Sequence, residues 1–282
     1  MTNRVTVAAV QMVSSDVVME NLATAGEFIT LAAQGGAGLV VLPENFAFMG
    51  ASDADRLAIA EPDAMVPDEA APLQAFLAEQ ARVNSVYLAG GTIPVASGDA
   101  GRVYSACFFY APDGSRLARY DKVHLFDVDV PGGKGHYRES ASTVPGTDAV
   151  VVGTPFGRIG LATCYDLRFP ELLRIMAGPE FVAAGSAFTT ATGAAHWETL
   201  VRARAVENLT CVVAASQGGR HSAGRETWGH SMIVDAWGNV LAQQATGAGM
   251  IIAQIDLAAQ QQLRAAFPAL THRRPGIGLI EV

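Results

Sequence analysis

The stretch formed by residues 157–172 constrains this chain more than any other. An apolar strand, residues 159–163, stops at Cys164, and the chain then continues with the pattern of a helix. A side chain at such a junction is held at the end of a sheet, exposed on a sharp turn, which is the placement that a covalent nucleophile needs. The backbone N–H of Tyr165 should lie outside the strand ladder and could face a developing oxyanion.

Cysteine usage bears on this interpretation. The other two cysteines, Cys107 and Cys211, occupy interior positions of predicted strands, where cysteine behaves as a small hydrophobic residue. A free cysteine is usually simply buried, and local sequence alone leaves that alternative open for Cys164. Its polar neighbours, Asp166 and Arg168, and the end of the apolar run favour a reactive thiol. An odd cysteine count without a CxxC pair argues against a disulfide framework or a structural zinc site.

Length and charge exclude several classes of protein. A chain of 282 residues, 50% hydrophobic and 16% charged, can bury one large core, and we expect a single domain over residues 1–282. A net charge of −8 argues against nucleic acid and anionic membranes as partners. The N-terminus enters a strand without a signal peptide, and no apolar run approaches the length of a membrane span. These features predict a cytoplasmic protein.

Lysine is scarce in this chain, which has 17 arginines but only Lys122 and Lys134. A lysine kept against that bias suggests a role that arginine cannot fill, since its ammonium group is a compact point charge whose pKa shifts on burial. Lys134 lies in a glycine-rich loop, residues 132–135, and is best explained as a solvated surface residue. Lys122 lies in a segment rich in polar and aromatic residues and is a candidate functional residue.

Strand and helix patterns alternate along the chain. Turn signals between strands predict hairpins, so the sheets should be partly antiparallel, unlike a pure Rossmann arrangement. Residues 121–146 lack periodicity, and a loop of this length with aromatic and charged residues is typical of function. No phosphate-binding glycine motif occurs. The predicted strands are 5–12, 39–42, 86–91, 103–110, 117–120, 150–153, 158–163, 181–186, 211–216, 231–234 and 250–255; the predicted helices are 16–34, 69–84, 169–177, 195–208 and 256–267.

Glu44, Lys122 and Cys164 each follow a predicted strand, at three separate points of the sequence. If these strands are neighbours that point the same way, their ends converge on one edge of the sheet, where α/β enzymes place their sites. Glu44 could then be the base for Cys164 if burial raises its pKa, and could later protonate a leaving amine and activate water. Lys122 and the Tyr165 N–H could stabilise the oxyanion. Taken alone, Glu44 is better explained as a carboxylate that simply follows Pro43 on a loop.

Three motifs resemble those of the nitrilase superfamily of carbon–nitrogen hydrolases, which use a Glu-Lys-Cys triad. They occur in the family's order, and the match runs from about residue 5 to residue 276. Three ordered motifs are far more specific than any one of them. Pro43-Glu44-Asn45 resembles the motif of the base, residues 120–127 resemble the lysine motif, and residues 164–171 resemble the nucleophile motif.

The resemblance implies a four-layer αββα sandwich and a homodimer packed through helices. It also implies a thiol-dependent amidase without a metal or an organic cofactor. A second glutamate of the family supports the lysine, and Glu139 matches its position. From the residues alone, Glu139 could instead be a surface charge of the loop.

Within the superfamily the chain is similar to the Nit branch of amidases, and to the members that act on deaminated glutathione rather than to the ω-amidases. Such an enzyme hydrolyses its substrate to 2-oxoglutarate and Cys-Gly through a thioester. Arg168 matches the position that binds a substrate carboxylate, a bidentate pairing that guanidinium favours. Phe188 and Thr192 match pocket positions beside it. The segments that carry this similarity are 186–188, 192–193, 196–198, 202–205, 217–221, 229–231 and 272–275.

Alternatives stay open at three of these positions. Arg168 could form a structural salt bridge with Asp166 or Glu171 instead of binding substrate. For His196 and Trp197, packing of a helix is the preferred explanation.

The chain departs from the family pattern at two places that we expect beside Phe188, and so in the pocket. Residues 177–180 form a shorter segment than usual, and Gly185 stands where the family usually has proline. A third departure, the glycine-rich loop at residues 132–135, predicts a more mobile entrance to the site.

Three classes of function follow. The first is an amidase that acts on a small anionic amide of the 2-oxoglutaramate type. The second is an amidase of the same mechanism with another substrate, such as a carbamoyl amide or a nitrile, for which Arg168 should matter little. The third is a non-catalytic dimeric binding protein, whose Cys164 should react with iodoacetamide no faster than an exposed thiol. The retained Lys122 argues against the third class.

Overall fold

The structure is a computed structural model that describes residues 4–130 and 135–274; the predicted mobile loop at 132–134 and the tail from residue 275 lie outside the described residues. Five α-helices lie in these ranges: α1 (Val18–Gln34), α2 (Pro72–Asn84), α3 (Pro170–Ile175), α4 (Thr190–Asn208) and α5 (Leu257–Ala266). The strands there are β1 (Arg4–Gln11), β2 (Leu39–Val41), β3 (Tyr87–Ala89), β4 (Ile93–Ala96), β5 (Val103–Tyr110), β6 (Arg116–Asp121), β7 (Asp127–Asp129), β8 (His136–Arg138), β9 (Val150–Thr154), β10 (Gly157–Thr163), β11 (Phe181–Ser186), β12 (Cys211–Ser216), β13 (Gly218–Arg220), β14 (Glu226–Trp228), β15 (Ser231–Val234), β16 (Val240–Gln244) and β17 (Gly249–Asp256).

Two mixed sheets form the centre of the molecule. The first has the order β17-β1-β2-β3-β5-β4, with β6 paired to β5, and the second has the order β16-β15-β12-β11-β10-β9. Strands β1, β2 and β3 are parallel, as are β10, β11 and β12, while the remaining pairs in both sheets are antiparallel. The prediction of partly antiparallel sheets is confirmed.

Both faces of the first sheet are covered. On β1, Val7 and Ala9 pack into a core shared with the second sheet, and Ala8 and Val10 pack into a core shared with α1 and α2. The outer face of the second sheet is covered by α3 and α4. Strands buried on both faces read as continuous apolar runs, which explains the sequence of β1. The predicted four-layer αββα sandwich is therefore confirmed.

Local chemistry explains where the helix predictions missed. Helix α2 begins at Pro72, three residues after the predicted start, because proline suits the first turn of a helix. Helix α4 begins at Thr190, five residues before the predicted start, because the Thr189 side chain accepts a hydrogen bond from the Thr192 N–H and caps it. The predicted helix 169–177 is the shorter helix α3, Pro170–Ile175, and a 3-10 turn, Cys164–Arg168, precedes it.

The predicted loop at residues 121–146 contains a small hairpin of β7 and β8 and a 3-10 turn, Glu139–Ala141. Both strands are three residues long and largely exposed, so they carry no hydrophobic period that a sequence could show. No described helix has the length and apolar character that crossing a membrane requires.

The expectation that residues 177–180 lie beside Phe188 is wrong. They precede β11, whereas Phe188 follows it, so about 20 Å of strand separates the two. Gly185, in contrast, lies directly against the turn that carries Glu44. A Cβ atom on Gly185 would lie 2.8 Å from the Leu42 carbonyl oxygen and 3.1 Å from the Glu44 nitrogen. Glycine at this position therefore allows the two sheets to approach each other closely beside the candidate site.

Candidate active site

The three predicted residues lie together, but not for the reason predicted from sequence. Glu44 follows β2 and Lys122 follows β6, two strands of the first sheet with β3 and β5 between them, whereas Cys164 follows β10 of the second sheet. They are not ends of neighbouring strands in one sheet. They meet because the two sheets are stacked face to face, with β1 and β12 joined at the same end by the parallel bridge of Met12 and Gln217.

Lys122 lies between two carboxylates. Its Nζ donates to Glu44 Oε1 at 2.7 Å and to Glu139 Oε2 and Oε1 at 2.8 and 3.1 Å. Glu139 Oε2 also accepts from the Phe126 N–H at 2.8 Å. Burial by itself would lower the pKa of Lys122, but the charges of Glu139 and Glu44 outweigh it and hold this pKa well above its ordinary value. The lysine is therefore a fixed cation.

The surface alternatives for these carboxylates are wrong. Glu44 is 4% exposed and Glu139 is 5% exposed, so neither is a solvated loop charge. Both are buried in contact with the Lys122 ammonium group. This pairing offsets the cost of removing a charged carboxylate from water.

Cys164 occupies a strained turn at the end of β10. Its φ of +48° is in the left-handed region, which a non-glycine residue adopts at a cost of about 1–2 kcal/mol. The predicted sharp turn is confirmed, but the predicted exposure is wrong, because Cys164 is only 7% exposed. Burial raises the pKa of the thiol well above its ordinary value and the charge of Glu44 adds to this, while Lys122 and the Ala187 N–H act in the opposite direction.

A buried aspartate connects the lysine segment to the cysteine turn. Asp166 Oδ2 accepts from the Tyr120 hydroxyl at 2.6 Å and from the Thr163 N–H at 2.8 Å. Its Oδ1 accepts from the His124 N–H at 3.0 Å and from His124 Nδ1 at 2.8 Å. Tyr120 and His124 lie two residues either side of Lys122, and Thr163 precedes the cysteine. The carboxylate thus fixes the distance between the two elements.

Arg168 projects into the same pocket without a carboxylate partner among residues 4–130 and 135–274. Its Nη2 lies 3.1 Å from His196 Nδ1, and its guanidinium lies 5.8 Å from the Tyr165 ring and 5.7 Å from the Phe188 ring. The structural salt bridge considered for this arginine is therefore wrong. Arginine over aromatic rings keeps its hydrogen-bond donors available to an anion.

Two residues of α4 beside Arg168, His196 and Trp197, differ in their burial and contacts. Trp197 is 1% exposed, donates from Nε1 to the His230 carbonyl oxygen at 2.6 Å, and packs edge-on against Phe188. Packing is confirmed for Trp197. His196 is exposed and contacts Arg168 instead, so the packing explanation is wrong there.

All eight predicted site residues line one pocket. Sequence reasoning did not assign the remaining lining residues. Asn45 lies within the motif of the base and Phe126 within that of the lysine, but nothing in the local sequence marks Arg56 or Arg225 among 17 arginines. Within the described ranges, no three His, Cys, Asp or Glu side chains are arranged to hold a metal ion. The pocket is lined by Glu44, Asn45, Arg56, Lys122, Phe126, Glu139, Cys164, Tyr165, Arg168, Ala187, Phe188, Thr189, Thr192 and Arg225.

Comparison with known proteins agrees with this geometry. The family model described as carbon-nitrogen hydrolase matches residues 6–265. The chain is 43% identical over 272 residues to a deaminated glutathione amidase of Synechocystis, covering 94% of this chain and 97% of the relative. It is 38% identical over 277 residues to human Omega-amidase NIT2, covering 98% and 97%. The crystal structure of Saccharomyces cerevisiae Nit3, a member of branch 10 of the nitrilase superfamily, matches with a TM-score of 0.84 at 32% identity, covering 96% of this chain and 97% of that chain.

Fold and family together define the class of protein as a hydrolase that acts on carbon–nitrogen bonds other than peptide bonds, of the amidase type. The chain belongs to the carbon–nitrogen hydrolase family of the nitrilase superfamily. The recognition made from its three motifs is confirmed.

Proposed function

We propose that this enzyme hydrolyses the amide bond of deaminated glutathione to give 2-oxoglutarate and Cys-Gly, with Cys164 as the nucleophile. One observation carries the proposal: the cysteine lies on a strained turn beside Glu44, which is itself held by Lys122, in a pocket that Arg168 also lines. The substrate named for the Synechocystis relative supports the choice of amide.

The chemistry starts from a protonated thiol, because the pKa of Cys164 is raised. As Sγ attacks the carbonyl carbon, the thiol proton passes to Glu44. The tetrahedral intermediate then collapses with cleavage of the C–N bond, and Glu44 returns the proton to the leaving nitrogen. A water deprotonated by Glu44 attacks the thioester, which releases 2-oxoglutarate and restores the thiol.

Two donors are placed to stabilise the oxyanion. Lys122 is a buried cation with its pKa held high, and the Tyr165 N–H lies in the first turn of the 3-10 segment, where backbone donors have no partner within the helix. Glu139 orients the lysine through both of its oxygens. Loss of one oxyanion donor costs on the order of 10²–10³ in rate.

The acyl half of the substrate is an anion in this proposal. Arg168 would pair with the carboxylate of the 2-oxoglutaryl group, and Phe188 and Thr192 would pack beside its chain. A small anionic amide is therefore the proposed ligand.

The test is hydrolysis by the purified protein of deaminated glutathione and 2-oxoglutaramate side by side, with 2-oxoglutarate as the readout and Cys164→Ala as the blank. We expect the larger kcat/KM for deaminated glutathione. Preference for 2-oxoglutaramate would instead assign the ω-amidase activity, which the similarity to human Omega-amidase NIT2 motivates as the second candidate. Turnover of neither compound would contradict both assignments and point to another small amide, a carbamoyl amide or a nitrile.

We also propose that the enzyme is a cytoplasmic homodimer with one hydrolase domain. Ile175 on α3, Val206 on α4 and Phe267 after α5 are 71%, 49% and 53% exposed, and a dimer packed through these helices would cover their apolar side chains. Ile175→Glu should convert dimer to monomer in sedimentation analysis. Met19→Glu, a change at an exposed residue of α1, should not. A monomeric unmodified protein would contradict the dimer.

A further inference from the structure

The guanidinium of Arg168 has one hydrogen-bond partner in the part of the chain that the structure describes. Its Nη2 lies 3.1 Å from Nδ1 of His196 on α4. A guanidinium group only donates, so Nδ1 accepts this bond, and the imidazole is neutral with its proton on Nε2. Arg168 lines the pocket, whereas His196 is exposed and lies outside the lining. The histidine therefore acts on a ligand in the pocket through the arginine.

The same helix also holds the backbone next to Arg168. Arg204 on α4 donates from Nε to the Leu167 carbonyl oxygen at 2.7 Å, and Arg204 is 6% exposed. Leu167 is itself buried and directly precedes Arg168. This contact determines where the Arg168 side chain starts. It leaves the long side chain free to rotate, and arginine has much rotamer freedom to lose when it is fixed.

The two aromatic rings beside Arg168 limit its position without fixing its rotation. The guanidinium lies 5.8 Å from the Tyr165 ring and 5.7 Å from the Phe188 ring. Attraction of a cation to the face of a ring does not depend on which N–H groups point toward the ligand. The hydrogen bond to His196 does, because it directs one N–H of Nη2 toward Nδ1. The remaining donors of the guanidinium stay available to a carboxylate.

We infer that His196 is a positioning residue that orients Arg168 toward the acyl carboxylate of the substrate, and that it thereby contributes to the specificity for anionic amides. The inference rests on the proposed function. A side chain that is already ordered loses less conformational entropy when a ligand binds. The carboxylate is remote from the scissile bond, so the contribution should appear in KM and not in kcat.

The experiment compares deaminated glutathione with 4-oxopentanoyl-Cys-Gly, the same dipeptide amide with a methyl group in place of the acyl carboxylate. The free amino group of the released Cys-Gly is the readout for both. His196→Leu should raise KM for deaminated glutathione by about threefold to tenfold, with little change in kcat and no change for the neutral analogue. Thr199→Leu, at another exposed position of α4, is the control and should keep the wild-type values.

Two further variants test whether the hydrogen bond to Arg168 is the cause. His196→Asn should recover most of the lost affinity, because Oδ1 of asparagine is an acceptor as many bonds from the backbone as Nδ1 of histidine. In the Arg168→Gln background, His196→Leu should have no additional effect on KM, since a residue that acts only through Arg168 loses its effect with it. Neither comparison depends on how much of a variant is folded, because KM does not.

Three results would overturn the inference: an equal rise in KM for both dipeptide amides, a loss of kcat with KM unchanged, or His196→Asn that behaves like His196→Leu. A wild type that treats the two amides alike would also overturn it, because no acyl carboxylate would then be bound. Turnover of 2-oxoglutaramate alone would refute the proposed substrate and not the role of His196. The same variants would then be compared on 2-oxoglutaramate and 4-oxopentanamide, with ammonia as the readout. Turnover of none of the four amides would overturn both.

Discussion

Two regions of the pocket differ in how firmly the protein holds them. The reaction centre, defined as Glu44, Lys122, Glu139 and Cys164, is buried, with no member more than 7% exposed, and its charged groups bind one another. The substrate wall, defined as Arg168, Phe188 and Thr192, lies on a 3-10 turn and around the start of α4. Arg168 there contacts the exposed His196.

This difference indicates that the two regions have separate roles. In the reaction centre, displacement of any charged group leaves another buried without its partner, so the geometry is strongly determined. Arg168 and Thr192 in the substrate wall have no such constraint and can change with little cost to folding, whereas Phe188 is 4% exposed and packs against Trp197. We infer that the chemistry depends on the first region and the choice of substrate on the second. The following predictions test that division.

Cys164→Ala should lower kcat/KM by about 10⁴-fold or more, since it removes the nucleophile of the reaction centre. Circular dichroism and thermal melting should show an intact fold. Cys107→Ala is the matched control, because Cys107 is also buried, with its pKa raised by burial to about 12, but has an ordinary strand conformation. Persistent turnover in Cys164→Ala would contradict the assignment.

Glu44→Gln should separate turnover from thiol reactivity. Turnover should fall by about 10²–10⁴-fold with the loss of the base. Burial and the charge of Glu44 both raise the pKa of Cys164, so removing that charge lowers this pKa and increases the thiolate fraction. Alkylation by iodoacetamide at about pH 8 should therefore become faster, as measured by mass spectrometry.

Glu198→Gln, at an exposed glutamate of α4, is the control for this change and should alter neither rate. Slower alkylation of Glu44→Gln would show that the carboxylate does not oppose thiolate formation. Because the pKa of Cys164 is raised, slow alkylation of the unmodified protein does not by itself distinguish a binding protein from an enzyme.

Lys122→Met should lower the free energy of unfolding by about 3–5 kcal/mol at neutral pH, because Glu44 and Glu139 would be left buried without their cation. Burial and mutual repulsion would raise the pKa of both carboxylates in the folded variant, so its stability should recover as the pH falls and they become protonated. Urea unfolding at about pH 7 and pH 5, compared with the wild type, measures this. A loss that is independent of pH would contradict the explanation.

Arg168→Gln should act on the substrate wall alone. KM for an anionic amide should rise by about tenfold to hundredfold, with a smaller change in kcat. Arg202→Gln, which removes an exposed arginine paired with Glu198, is the control. Unchanged affinity would favour an amidase whose substrate has no carboxylate at this end.

Thr192→Val should have the smallest effect, a change in KM of less than about tenfold. Its hydroxyl lies 2.8 Å from the Thr189 hydroxyl, whereas the helix cap uses its backbone N–H, which the substitution keeps. Steady-state kinetics with the two amides measures the change. An effect larger than that of Arg168→Gln would contradict the proposed order within the substrate wall.

The sequence predicted which residues form the reaction centre, but not how the fold brings them together. Residue type and position after a strand selected Glu44, Lys122 and Cys164, and the motif resemblance added Glu139. The stacking of two sheets was implied by the resemblance, but which strand ends it brings together was not visible in local patterns. The residues that follow β2, β6 and β10 meet only through the packing of segments some 120 residues apart in the chain.

The substrate wall and the arginines beside it were less predictable. Arg168 was found because it matches a position of the family motif, but Arg56 and Arg225 lie outside every motif. The role of Asp166, which connects the lysine segment to the cysteine turn, was also not predicted. Its four hydrogen bonds come from three separated residues, and only folding brings those donors to one carboxylate.

By itself, the sequence determined the alternation of strands and helices, the break in the chain at Cys164 and the family, because hydrophobic periods and local motifs are properties of neighbouring residues. The tertiary structure decided that the thiol is buried rather than exposed, that Lys122 lies between two carboxylates, and that three arginines line one pocket. Burial and charge pairing depend on which distant segments pack together. They set the pKa values of the site residues and decide which side chains a bound substrate can contact.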